Sequence, residues 1–220
     1  MSTAPLDSER RVVLVFVRAP GPGPVKTRLA AEIGAEAARE LYRQVAEKVW
    51  QGLACPGLER WLVVEPAPAG PAAAAWLTGA DRVLGQVQGD LGARMAAAFG
   101  TAFAAGANRV AVVGTDAPQV GAGRVGRALD ELAEHGCVAI PAEDGGYAVL
   151  ALRGPAPSLF EGVPWSTAAV LETTRAHAAA AGLSWKALDP VRDLDTLSDL
   201  LALRASGWIE AVGDARTKNA

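Results

Sequence analysis

The chain has 220 residues, half of them hydrophobic, and a formal net charge of −3 from 21 basic and 24 acidic side chains. That length and apolar content suit one domain with a full core and exclude a disordered chain. Without a basic excess, nucleic acid is not the expected partner. Cys55 and Cys137 are far apart and lack metal-ligand spacing, so they read as two buried thiols of a reducing compartment. The N-terminal "MSTAPLDSERR" has no apolar signal core, and no apolar run is long enough for a bilayer. The expectation is a soluble cytoplasmic protein with no membrane partner, a single domain over 1–220 with its core at about 11–205, as monomer or homodimer.

Val12–Val17, "VVLVFV", is a β-branched run expected of a strand buried on both faces. A helix begins at Thr27 and is interrupted at Gly34. Glu36–Leu53 has helical spacing, with Ala37, Leu41, Val45, Val49 and Leu53 on one side. Arg60–Glu65 is a second strand, and the low-complexity Pro66–Trp76 reads as a hinge entering a short helix. Helices are predicted at Leu91–Ala105, Arg124–Glu134, Ala168–Ala181 and Thr196–Ala205. Strands are predicted at Arg109–Val113, Val138–Pro141, Tyr147–Leu152 and Trp185–Leu188. Such alternation implies an α/β sheet that is mostly parallel. Ligands of such sheets sit at the carboxyl ends of strands, so chemistry is sought there.

After the first strand comes "RAPGPGPVKTRLA", Arg18–Ala30. It is not a P-loop, because Val25 rather than glycine precedes Lys26 and Ala19 stands where the first glycine belongs. Its ingredients still suit a phosphate. Gly21 and Gly23 let backbone approach a ligand, and Pro20, Pro22 and Pro24 stiffen the loop. A helix N-terminus follows, with Lys26 and Arg28 as added positive charge. A rigid turn with solvated basic residues is the alternative.

"GTDAP" places Asp116 just past a strand, as a turn residue or as a carboxylate for Mg²⁺ or Mn²⁺. Asp144-Gly145-Gly146 is a hairpin signal that leaves the neighbouring acids and Tyr147 unexplained. Trp165 in "VPWST" reads as core packing or as an exposed aromatic. In "RDLDTLSDL" a capping box accounts for Thr196 and Asp199 and leaves Asp193 and Asp195 free. His135 and His177 stand alone, and no G-x-S-x-G elbow is present.

The stretches "APGPGPVKTRLA", "QGDLGARM", "GTDAP", "EDGGYAVLAL", "PWST" and "DLDT", in this order, resemble the nucleotide-diphospho-sugar transferase-like proteins of the DUF2064 group over about residues 11–205. The resemblance implies a three-layer α/β/α GT-A fold with a mixed, mainly parallel sheet. It implies phosphate contacts from Lys26 and Arg28 in a loop that includes Arg18, Gly21 and Gly23. Gln88, Gly92 and Arg94 would lie on the nucleotide's base side. Asp116, with Asp195, would ligate a divalent cation, Mg²⁺ or Mn²⁺. Asp144, Gly145, Gly146, Tyr147 and Trp165 would line the acceptor side, with Asp116 and Asp144 as catalytic carboxylates. One position departs from the Asp-x-Asp usual in glycosyltransferases of this fold: Gly114 stands where the first Asp would be. The function expected is metal-assisted sugar transfer from a nucleotide-diphospho-sugar to a small acceptor. The alternatives are nucleotidyl transfer from an NTP to a phosphorylated acceptor, or a silent nucleotide-binding module.

Overall fold

The computed structural model describes residues 9–19 and 25–210. Seven strands form one sheet: β1 (Arg11–Arg18), β2 (Leu58–Glu65), β3 (Arg82–Gly85), β4 (Arg109–Val113), β5 (Cys137–Pro141), β6 (Tyr147–Leu152) and β7 (Trp185–Ala187). Their spatial order is β3-β2-β1-β4-β6-β5-β7. All lie parallel except β6, which runs antiparallel to both β4 and β5. The mixed, mainly parallel sheet expected from the sequence is therefore observed.

Helices α1 (Thr27–Ile33), α2 (Ala35–Gly52), α3 (Gly70–Trp76), α4 (Leu91–Ala104), α5 (Ala122–Glu131), α6 (Val170–Ala180) and α7 (Leu197–Ala205) cover the sheet. The strand period of two assigns residues to its faces. Val13, Val15 and Val17 of β1 join one core with α1, α2, α5 and α7 residues such as Leu29, Val45, Leu129 and Leu203. Val12 and Leu14 join the other, with Trp61 and with Met95 and Phe99 of α4. Burial on both faces is why β1 reads as a continuous apolar run.

Gly34 separates α1 from α2 with φ at 90°, a conformation that a side chain disfavours. Four details depart from the sequence reading. Cys55 is exposed, and of the two thiols only Cys137 is buried. Ala37 of α2 is exposed, and Ala38 takes its place in the core. Pro66–Trp76 is ordered as a short helical turn followed by α3, whose Ala73 is fully buried, so it is no hinge. β3 was not anticipated: it is four residues long, mostly exposed and paired on one side only.

Candidate active site

The parallel strands β1, β2 and β4 end on one edge, and a cleft of about 590 Å³ opens there. It is lined in part by Phe16, Arg18, Lys26, Arg28, Tyr42, Glu65, Gln86, Arg94, Gly114, Asp116, Tyr147, Asp193 and Asp195.

Lys26 lies at its centre. Its backbone is left-handed, with φ 50° and ψ 53°, an unusual state for a residue with a side chain. From there the side chain turns inward and is only 8% exposed. Nζ donates to Asp116 Oδ1 at 2.7 Å and to Asp195 Oδ1 at 2.8 Å. Burial works against the ammonium's charge, but the two carboxylates outweigh it and hold its pKa above the ordinary lysine value. Arg28 reaches Asp195 Oδ2 at 3.0 Å while its side chain stays 72% exposed.

Both carboxylates are positioned by backbone. The Asp116 carbonyl accepts from Leu194 N at 2.9 Å, stitching the loop after β4 to the loop after β7. Val191 forms a parallel bridge to Ala142, which carries the chain past the end of β5 to the same edge. The Thr196–Asp199 capping box then starts α7, and Asp199 Oδ2 also accepts from Asp195 N at 3.3 Å. Burial of Asp199 is outweighed by these hydrogen bonds, and its pKa falls below the usual range.

Asp193 shares the cleft. Burial first, then Asp116 and Asp144, push its carboxyl up to about 7 against the opposing pull of Lys26. Its Oδ1 is buried without a hydrogen-bond partner.

On the other wall, Arg94 donates from Nη1 to Glu65 Oε1 at 2.9 Å and to Gln86 Oε1 at 3.2 Å, and from Nε to the Gly89 carbonyl at 3.0 Å. Glu65 also meets Arg18 at 3.3 Å. Burial of Glu65 is outweighed by Arg94 and Arg18, which keep it ionised below the usual carboxylate range. Tyr42 of α2 locks the end of β1: its hydroxyl accepts from Arg18 N and donates to the Arg18 carbonyl.

Of the residues singled out from the sequence, the cleft collects Arg18, Lys26, Arg28, Arg94, Asp116, Tyr147 and Asp195. Gly21 and Gly23 lie outside the described residues. Gln88 is exposed ahead of α4 and does not line the cleft; Gln86, two residues earlier, does. Gly92 is buried in the first turn of α4, where a Cβ would lie 2.6 Å from the Phe160 carbonyl and 2.9 Å from the Trp165 ring. Trp165 thus packs against α4 and the second core, outside the cleft. Asp144 is exposed and caps its own turn, Oδ1 accepting from Gly146 N at 2.9 Å. Gly145, at φ 92°, lies against residue 168, and its carbonyl accepts from Leu171 N at 2.9 Å. The contacts of Gly145 hold the β5–β6 turn to the start of α6.

Tyr42, Glu65, Gln86 and Thr115 were missed from the sequence, and Asp193 was noted without a role. Glu65 had a legible signal, being the last residue of a strand. Gln86 follows the unanticipated β3, and Tyr42 reaches the edge only because α2 packs under it.

The donor set can be weighed against a divalent cation. Among the described residues, no group of three or more His, Cys, Asp or Glu is arranged to hold a metal. Asp116 and Asp195 nevertheless aim one oxygen each at a single point, where the Lys26 ammonium now stands as a cation. Mg²⁺ is commonly held by one or two carboxylates together with substrate phosphates and water. The pair fits that requirement.

A cleft at the carboxyl edge of a β3-β2-β1-β4-β6-β5-β7 sheet defines a nucleotide-diphospho-sugar transferase-like (GT-A) α/β protein. The family model DUF2064, "Uncharacterized protein conserved in bacteria", matches residues 48–167, and the chain belongs to this family. A crystal structure of a "putative nucleotide-diphospho-sugar transferase" from Desulfovibrio desulfuricans G20 is 31% identical, with a TM-score of 0.84 over 96% of this chain and 91% of that one. CMP:2-keto-3-deoxy-manno-octonic acid synthetase complexed with CTP shares the fold at 13% identity, with a TM-score of 0.56 over 90% of this chain and 98% of that one. So does 4-diphosphocytidyl-2C-methyl-D-erythritol synthase from Anaerococcus prevotii DSM 20548, at 10% identity and a TM-score of 0.59 over 91% and 100%. No curated protein matches the sequence significantly. No helix among the described residues is long and apolar enough to cross a membrane.

Proposed function

We propose that the chain is a transferase acting on an activated nucleotide, and that it moves a sugar from a nucleotide-diphospho-sugar to a small neutral acceptor. The observation that carries this reading is the charge balance of the cleft. Arg18, Lys26, Arg28 and Arg94 face Glu65, Asp116, Asp193 and Asp195, four cations against four carboxylates. A diphosphate can be taken up there by redirecting Lys26 and Arg28 from Asp195 to phosphate oxygens. A triphosphate plus a phosphorylated acceptor brings more negative charge and would call for cations beyond these four.

In this reading Lys26 and the exposed Arg28 bind the diphosphate and stabilise the charge that grows on it as the anomeric bond breaks. Arg94, fixed by Glu65, Gln86 and Gly89, shapes the nucleotide side. Mg²⁺ or Mn²⁺ would be held by Asp116 and Asp195 and would polarise a phosphoryl oxygen. Asp193, with a carboxyl near 7, is suited to exchange a proton with an acceptor hydroxyl at neutral pH.

Nucleotidyl transfer is the second reading, favoured by two observations. Gly114 supplies no first carboxylate, although a Cβ there would meet nothing within 4 Å. Trp165 and Asp144, expected to receive a sugar or a hydroxyl, lie outside the cleft. Incubation with sugar-labelled NDP-sugars and with α-labelled NTPs separates the readings. NDP release with label on the acceptor supports sugar transfer. Pyrophosphate release with the α-label on the acceptor overturns it in favour of nucleotidyl transfer. Binding without turnover of any donor supports the silent module.

A further inference from the structure

The contact between Lys26, Asp116 and Asp195 has a consequence for the order in which ligands enter. The inference rests on the proposed metal-assisted reading of the same cleft. The ammonium is almost fully buried, and its two shortest contacts are the two oxygens that would bind a divalent cation. A metal ion and an ammonium cannot share that point. Bound to the same carboxylate oxygens, the two cations would stand within a few ångströms of each other and repel. Asp195 is further occupied by Arg28 at 3.0 Å, so its second oxygen is not idle.

Lys26 cannot simply swing into solvent at no cost. Its departure into solvent would leave Asp116 and Asp195, which it now reaches at 2.7 and 2.8 Å, facing each other without the cation between them. A phosphate group offers an equivalent partner, because it accepts charge-assisted hydrogen bonds from an ammonium as well as a carboxylate does. The left-handed backbone of Lys26, just ahead of α1, turns its side chain into the cleft.

We propose that the Lys26 ammonium is a resident cation that holds the metal site closed, and that a divalent metal enters only when a phosphate draws Lys26 away from Asp116 and Asp195. Metal and nucleotide are then bound as a coupled pair. By linkage, the factor by which nucleotide tightens metal equals the factor by which metal tightens nucleotide.

The test is Mn²⁺ binding without nucleotide, read by electron paramagnetic resonance of free Mn²⁺ and by the Mn²⁺-dependent shift in melting temperature. Wild type is expected to bind Mn²⁺ weakly and to show little shift. Lys26→Met, which removes the charge and keeps the stem, is expected to bind at least tenfold more tightly. Its melting temperature should rise with Mn²⁺, because the ion neutralises two carboxylates left facing each other. Lys26→Arg keeps a cation there and should remain a weak binder. Asp116→Asn in the Lys26→Met background should abolish the gain. Tight Mn²⁺ binding by wild type alone overturns the proposal, whether or not Lys26→Met folds. So does a Lys26→Met protein that binds Mn²⁺ no better than wild type. A wild type that binds no nucleotide of any kind removes the functional reading, yet these metal titrations still decide the role of Lys26.

Discussion

Two charged segments on one edge of the sheet have opposite fates. Val25–Arg28 follows β1, and residues 142–146 join β5 to β6; both combine charged side chains with neighbouring glycines. In the turn, the Asp144 side chain is satisfied within its own loop, although Glu143 beside it reaches Arg192. Asp144 holds Gly146, Ala142 N donates to the Gly146 carbonyl, and the Gly145 carbonyl takes Leu171 N. In Val25–Arg28 the key side chain finds its partners far along the chain, at Asp116 and Asp195. A side chain absorbed by its own turn builds structure. One that must be met by distant loops builds a site, because its partners can be exchanged for a ligand without unmaking the turn.

The largest effect is expected at Asp193, on the cleft side. Its carboxyl titrates near 7 when folded, against an ordinary value near 4 when unfolded. A carboxylate whose folded pKa is raised costs nothing below the unfolded value. Stability falls as pH rises between about 4 and 7, and the penalty is constant above that, with an upper limit of about 4 kcal/mol. Asp193→Asn should therefore be more stable than wild type to urea at pH 8 and equal to it at pH 4. A gain that does not change with pH would detach Asp193 from the buried, acid-crowded setting described above.

Gly145→Ala probes the turn. A Cβ would stand 2.4 Å from the Ala168 carbonyl oxygen, at a φ of 92°. The strain and overlap should cost about 3 kcal/mol of stability, visible as a lower urea midpoint. Nucleotide affinity of the folded fraction should stay within about twofold of wild type, by the additivity of separate sites. If affinity instead collapses while the midpoint holds, the turn belongs to the ligand site.

Lys26→Ala should weaken nucleotide diphosphate binding by about 1.5–3 kcal/mol, the scale of a charge-assisted hydrogen bond, in calorimetry. Unchanged affinity would leave the cleft without its central phosphate contact. The smallest effect is expected from Arg28→Ala: at 72% exposure its pair with Asp195 is solvent-screened and should contribute less than about 1 kcal/mol to stability. A sharper urea loss than at Lys26 would reverse the ranking of the two cations.

Much of the fold was legible because its signals are local. The β-branched run of β1, the helical spacing of α2, the Asp-Gly-Gly hairpin and the Thr196–Asp199 box each act within a few residues, and each appears where expected. β3 was not legible, since a short, exposed edge strand carries no buried period and exists through its pairing with β2. The glycines and Trp165 were visible as distinctive residues, but their contacts were not. Gly92 and Trp165 lie against each other, a contact that no local pattern announces.

By itself, then, the sequence determined most of the strands and helices, that the sheet is mainly parallel, and that charged residues gather at strand ends. Hydrophobic period and turn chemistry are properties of neighbouring residues, so they survive being read in one dimension. Tertiary structure decided which of those charges share one cleft. It brought Lys26 between carboxylates 90 and 169 positions away, raised the Asp193 pKa by burying it among like charges, used Asp144 to cap its own turn, and packed Trp165 against the second core. Distance and burial set electrostatic energies, and both arise only when the sheet and its covering helices close around the edge.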